Sequence, residues 1–373
     1  MLDETLSRSP PSTARSTSGA YRLLRGRFTL EVRQQLQVWQ RVGITAGAIL
    51  FGFVICGLIL VAAGVSASNL IEEFVIQILF DPQNLHAALF QAAPLILVGL
   101  GASLAFRARF WNLGIEGQMI WGGIAAAAAS IYHIGPDRLR LVSMTAAAIL
   151  AAMLWVAIPA SLKLTYRVNE IISTLLLNYI ASYFLFHLLY GPWKDPGDSF
   201  PHSSQFATVE RLPDIGPHLN IALPLAISLV ALAWWLLHVS RAGLHLKFIH
   251  ANASMAHVLG VPIKTATFMA VLLSGALSGL SGLVIVSGME GRLTLGFYEG
   301  YGFSGILIAF LARNDPISAT IVAFLVAMLF IAGQSLQIFY QIPFSMVELI
   351  QAIIVMCVAA SEFFVRHRLH WHS

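Results

Sequence analysis

Long apolar runs, each broken by a short polar or charged stretch, recur along the chain from residue 42 to residue 365. Ten such runs fall at roughly 42–65, 86–106, 115–133, 141–162, 170–190, 219–238, 265–287, 301–312, 316–333 and 346–365. A helix needs about 20 apolar residues to cross the hydrocarbon of a bilayer, and most of these runs supply them. No segment shows the strict alternation over about 10 residues that a membrane barrel strand carries. Lipid offers no partner to an exposed backbone amide, so the pattern predicts an all-α fold, a polytopic transmembrane helix bundle of about 10 spans. The run at 301–312 is short for a full crossing, and 110–117 brings glycines and polar residues to the start of an apolar run. Each predicts a half-helix or interrupted segment held within protein.

Composition and charge orient this bundle. Of 373 residues, 57% are hydrophobic and 11% charged, with a mean hydropathy of +0.76. Soluble domains carry about 25% charged residues, so water is not the main solvent. With the N-terminus inside, 17 of the 22 lysines and arginines face inward and 5 outward: Arg138, Arg140, Lys194, Arg211 and Arg292. That bias predicts both termini in the cytoplasm. The chain then divides into an N-terminal cytoplasmic tail (1–41), a transmembrane domain (42–365) and a C-terminal cytoplasmic tail (366–373). Residues 1–20 are rich in Ser, Thr and Pro and predict disorder. The polar, arginine-rich stretch before residue 42 does not read as a cleavable signal. The outer loops at 191–218, with five prolines, and at 66–85, with room for a short amphipathic helix, are connectors or partner surfaces. A net charge of +4 without a basic, aromatic-interleaved stripe points to membrane orientation rather than nucleic acid.

Three segments carry candidate chemistry. The first is Phe110, Trp111, Asn112, Leu113, Gly114, Ile115, Glu116, Gly117 and Gln118. Glu116 and Asn112 suit hydrogen bonds to a hydroxyl-rich solute, and Trp111 or Phe110 suits stacking on a flat base or sugar face. The alternative is a structural turn in which Glu116 holds backbone amides. The second contains Asn169, Glu170, Ser173 and Thr174 and continues to Asn178 and Ser182. Glu170, Thr174, Asn178 and Ser182 stand four residues apart, so a helix aligns them in one polar stripe, either lining a path or bonding helix to helix. The third, 246–262, predicts a short cytoplasmic surface helix closed by Gly260 and Pro262. Its apolar Met255, Val258 and Leu259 suit a groove on another protein or the bilayer surface.

Cys56 and Cys357 lie in apolar runs and predict packing rather than a disulfide or metal site. His250 and His257 lack nearby carboxylate or thiolate ligands, and His367, His370 and His372 read as a membrane-flanking tail, so no metal is expected. No catalytic triad is legible. No lysine follows a glycine anywhere, which removes the phosphate-cradling loop of ATP-binding proteins. Energy must come from an ion gradient or from another subunit.

The segments at 110–119, 167–174 and 178–180 closely resemble the nucleoside and simple-sugar branch of bacterial ABC importer permeases. Ser304-Gly305-Ile306 and the run from Ala309 to Pro316 resemble that family's late signature, in the same order. The resemblance covers residues 90 to 365. It implies a multi-pass protein of the bacterial inner (plasma) membrane that moves nucleosides or simple sugars and is not an enzyme. It also implies three partners: an ATPase subunit that holds ATP and Mg, a second permease subunit, and a periplasmic or lipoprotein substrate-binding protein. The pathway residues would be Trp111, Asn112, Glu116, Asn169, Glu170, Ser173, Thr174 and Asn178. The segment 246–260, with His250, Asn252, Met255, Ala256, Leu259 and Gly260, would be the coupling helix. The family usually has glycine where His250 stands, proline where Ala253 stands and often an acid at His257. Other readings are a branched-chain amino acid or free-sugar permease, an ion-coupled transporter using Glu116, Glu170 and Glu348, and a membrane-embedded enzyme.

Overall fold

The computed structural model describes residues 28–32, 37–62, 64, 66, 81–216 and 219–371. The tail at 1–20 and most of the 66–85 loop lie outside the described residues, as does the Glu348 side chain. The chain forms two compact units, residues 54–355 and a smaller one of residues 1–53 with 356–373.

Each of the ten apolar runs folds as a helix. The helices are α1 (Val38–Ala62), α2 (Pro82–Arg107), α3 (Ile115–Ile131), α4 (Arg140–Tyr166), α5 (Glu170–Tyr190) and α6 (Ala222–His238), then α7 (Arg241–Ala251) and α8 (Ala253–Val258). They continue as α9 (Ile263–Leu283), α10 (Tyr301–Leu311), α11 (Pro316–Tyr340) and α12 (Phe344–Arg366). Among the described residues, five helical segments are long and apolar enough to cross a membrane, or six if α6 and α7, bent by 68°, count as one. In the smaller unit, β1 (Phe28–Val32) pairs antiparallel with β4 (His367–Trp371), Phe28 opposite Trp371 and Val32 opposite His367. That pairing draws the two tails together. Its cue was the alternation of Phe28, Leu30 and Val32, a period of two beside the long helical runs.

Local chemistry sets the helix starts. Asp81 before Pro82, and Asp315 before Pro316, each accept an amide of the first turn, from Gln83 and Ser318, both at 2.9 Å. Proline loses nothing at that position, where the amide has no helical partner. At the centre runs α2, buried on all sides from Gln91 to Phe106, as a helix without a polar face must be. It lies against α9, α11 and α10. The Ser281 hydroxyl of α9 donates to the carbonyl of Pro94 inside α2 at 3.1 Å.

Helix α9 also meets α3 and α4. Its approach is set by small residues: a Cβ on Gly282 would stand 2.3 Å from the Met119 carbonyl, and one on Gly279 2.5 Å from that of Ala148. Such backbone-to-backbone contact gives apolar helices the close packing that lipid, itself apolar, does not drive. Beyond Leu283, α9 widens into a π turn, Val284–Met289, and the Glu290 amide reaches back five residues to Ile285 at 2.9 Å. The proline-rich loop folds onto this end of the bundle. Ser203 and Leu293 exchange hydrogen bonds of 3.0 and 2.9 Å, Ser287 donates to the Glu210 carbonyl, and buried Arg140 pairs with buried Glu210 at 3.7 Å. The short strands β2 (Asp214–Gly216) and β3 (Leu219–Asn220) close that loop.

Candidate functional site

The residues singled out from sequence converge on the stretch between α2 and α3. After α2 the chain leaves helical geometry at Arg109, whose φ is +55°, and becomes helical again only at Ile115. This irregular backbone is buried: Phe110, Asn112 and Ile115 have no exposed surface. Asn112 is held from all sides. Its amide nitrogen donates to Ser274 at 3.0 Å and to Gln118 at 3.2 Å, while its oxygen accepts from Gln118 at 2.8 Å and from the Gly114 amide at 3.1 Å. Asn178 of α5 makes the matching clamp, accepting from the Gly117 amide and donating to the Leu113 carbonyl, both at 2.9 Å. Two side-chain amides thus do for this interrupted segment what helix hydrogen bonds would otherwise do.

The stripe on α5 faces the same segment. Glu170 pairs with Lys163 and accepts from the Trp111 amide at 3.5 Å. Lys163 also donates to the Arg109 carbonyl at 2.7 Å and stands 5.0 Å from the centre of the Phe110 ring. Asn169 is the N-cap of α5, accepting from the Ile171 amide at 2.9 Å. Thr174 and Ser173 return their hydroxyls to the Glu170 carbonyl at 2.7 and 3.2 Å. Trp111 stands apart, 44% exposed and clustered with Phe106 and Phe310 at ring distances of 5.2 and 5.5 Å. Glu116 is half-buried where α3 crosses α10, so close that a Cβ on Gly302 would overlap its side chain. Tyr298 stands near it and shares a hydrogen bond with Ser182; burial raises the Tyr298 hydroxyl above its ordinary value.

A cavity of about 810 Å³ lies at the end of the bundle that the charge bias assigns to the outside. Phe90, Phe297 and Phe330 are aromatic walls, and Gln83, Gln91, Tyr301, Gln334, Glu290 and Glu299 bring hydrogen-bonding groups. Gln91 donates to the Tyr301 hydroxyl at 2.7 Å, fixing two of them. The π turn contributes Ile285 and Met289 and delivers Glu290 to the rim. Sequence reasoning missed this site because its walls come from α2, the 285–301 stretch and α11, far apart along the chain. Gln91 inside an apolar run was the one available signal.

At the opposite end, the predicted single helix over 246–260 is two helices. α7 begins earlier, at Arg241, and ends at Ala251; Asn252 then takes extended backbone (φ −158°, ψ 110°) and caps α8, accepting from the Ser254 and Met255 amides at 3.0 and 3.2 Å. An asparagine that can bond the amides after it ends one helix and starts the next, which the helical pattern alone concealed. The apolar face is displayed outward, with Met255, Val258 and Leu259 60%, 81% and 59% exposed, whereas Ala256 is buried against Ile249 and Val261. His250 is exposed and Gly260 has a φ of +74°. Arg109 joins this element to the interrupted segment, donating to the carbonyls of His250 and Ala251, both at 3.2 Å.

Membrane-length helices, an interrupted segment clamped at their centre and a solute-sized cavity at one end define a multi-pass transport protein. Known sequences agree. The chain is 30% identical over 352 residues to the glucose ABC transporter permease protein TsgB13 of Haloferax volcanii, covering 91% of this chain and 93% of that one. It is 28% identical over 320 residues to the guanosine ABC transporter permease protein NupP of Bacillus subtilis (84% and 92%). The nucleoside ABC transporter permease protein NupB of Lactococcus lactis is 26% identical over 298 residues (76% and 81%). The chain belongs to the family described as branched-chain amino acid transport system / permease component, whose pattern matches residues 84–359. It is a permease component of an ABC transporter, a subunit that conducts solute and is not an enzyme.

Proposed function

We propose that this chain is the translocating subunit of an ATP-driven importer for nucleosides or simple sugars, working in the bacterial inner membrane. The observation that carries the cargo assignment is the outer cavity. Its volume falls within the roughly 300–1,000 Å³ of small-molecule sites, and flat aromatic walls beside amides and carboxylates suit a base or sugar face with hydroxyls around it. Two carboxylates and no lysine or arginine among its described lining residues disfavour an amino acid, whose own carboxylate would be left opposite like charge. The names of the glucose and nucleoside relatives support the same reading.

ATP and Mg belong, in this reading, to a partner ATPase subunit that receives Met255, Val258 and Leu259 in a groove. A second permease subunit completes the path and a substrate-binding protein delivers solute to the cavity. Closure of the ATPases pushes on α7 and α8; Arg109 passes the displacement to the 110–118 segment, so that the bundle alternates between two states. Asn112, Asn178 and Glu170 keep that segment rigid, and Trp111 and Glu116 are its groups nearest the solute.

The test is ATP-dependent uptake of radiolabelled nucleosides, ribose and leucine into proteoliposomes holding this chain with its ATPase, second permease and binding protein. Nucleoside or ribose uptake that needs ATP is the expected result. Leucine uptake alone would overturn the cargo, and gradient-driven uptake by this chain by itself would overturn the mechanism.

A further inference from the structure

The end of the bundle that the charge bias assigns to the cytoplasm holds a second cavity, of about 520 Å³, that the transport path does not use. It opens where α6 ends and the chain bends into α7, and the residues that follow α10 close it. Arg107, Arg241, Lys247 and Arg313 line it together with His238 and His250. Four permanent cations in one concavity repel one another, and an anion within it would offset that repulsion. The acid beside them is already engaged: Asp315 caps α11 through the amide and hydroxyl of Ser318, at 2.9 and 3.0 Å, and stands 3.7 Å from His238. The N-terminus of α7, Ser240 to Gly243, borders the same cavity and adds its partial positive charge.

Depth identifies the anion. Trp234 and Trp235 are exposed in the last two turns of α6, and the Trp234 ring stacks on His238 at 5.5 Å. Exposed tryptophans settle at the headgroup level of a bilayer, so the adjoining cavity lies at that level. Exposed Leu232 and Val239 continue an apolar surface alongside it, suited to an acyl chain. We propose that this cavity binds the phosphate diester of an anionic phospholipid, of the phosphatidylglycerol or cardiolipin class, and so fastens the base of α7 to the membrane. The proposal is independent of the cargo.

The experiment is native mass spectrometry of the purified transporter complex, titrated with phosphatidylglycerol, phosphatidylcholine or inorganic phosphate, for the wild type and for Arg241→Gln/Lys247→Gln. The expected result is retention of phosphatidylglycerol over phosphatidylcholine, weakened roughly tenfold or more in the double variant with the ATPase still attached. Arg241→Lys/Lys247→Arg, which keeps both charges, should restore it and so exclude misfolding as the cause. Equal retention of the two lipids, or unchanged retention in the glutamine variant, overturns the proposal. So does competition by inorganic phosphate at the lipid's own concentration, which makes the site one for free anions. Loss of the ATPase with lipid retention intact assigns these cations to protein docking and also overturns it.

Discussion

Amides and carboxylates occupy both the interrupted segment around Asn112 and the cavity around Glu290, and the two regions treat them oppositely. At the interrupted segment Asn112 is fully buried and bonded through both its nitrogen and its oxygen. At the cavity, Gln83, Gln91, Glu290 and Gln334 border open space, and only Gln91 among these four is buried. A polar side chain at membrane depth is costly, and there are two ways to lower that cost: bond it within the protein or give it a wet cavity. The first produces a fixed scaffold and the second a surface where solute can replace water. Residue type does not separate these outcomes; the partners do.

Four substitutions test that contrast, and the largest effect belongs to neither region but to the packing that supports both. Gly279→Leu should prevent folding, because its side chain would meet the Ala148 carbonyl and Ala152; a loss of about 3 kcal/mol or more is expected, read as absence of a monodisperse species in detergent. Next comes Asn112→Leu, which leaves Ser274 and Gln118 short of partners and should cost about 2–3 kcal/mol, lowering the thermal midpoint while uptake per folded molecule stays close to wild type. Glu290→Gln with Glu299→Gln should do the reverse, an unchanged midpoint with uptake reduced by roughly tenfold, the value of one or two lost hydrogen bonds to a charged group. If the midpoint falls for the cavity pair, or uptake falls in proportion for Asn112→Leu, the contrast is broken.

The smallest effect lies outside the membrane-spanning segments. The Phe200 amide, and then His202, hold the Asp198 carboxyl below its ordinary 3.8. A carboxyl with a lowered folded value adds stability above pH 3.8 and loses it as the pH falls through that lowered value. Asp198→Asn should therefore leave stability near neutrality almost unchanged and shallow the acid limb below pH 4, measured by denaturation at stepped pH. A steeper acid limb would reverse the sign.

The helices were legible because hydropathy is read one segment at a time, and each of the ten runs became a helix. The polar stripe of α5 was legible as a stripe, since four-residue spacing fixes a helix face, but spacing does not say what the face meets. Asn178 turned out to hold two backbone groups of the 110–118 segment, a contact that depends on how α5 and α3 cross. The break at Asn252 carried a local signal, an asparagine followed by Ala253, Ser254 and Met255, yet it was masked by apolar residues on both sides that continue a helical rhythm. The outer cavity had no local signal strong enough, because no single stretch contains more than one wall of it.

The π turn at the end of α9 gives the cavity a dependence that is arithmetic rather than chemical. A π turn is an α-helix with one residue too many, so Val284–Met289 amounts to an insertion retained in place. Removing any one residue there would let the helix close into regular geometry and rotate everything after it by about 100°, since successive helical residues are spaced at 3.6 per turn. Glu290 would leave the rim without being mutated. In a gene encoding this chain, a three-base deletion within those six codons would therefore act as a mutation of the cavity, although it changes none of the polar side chains that line it.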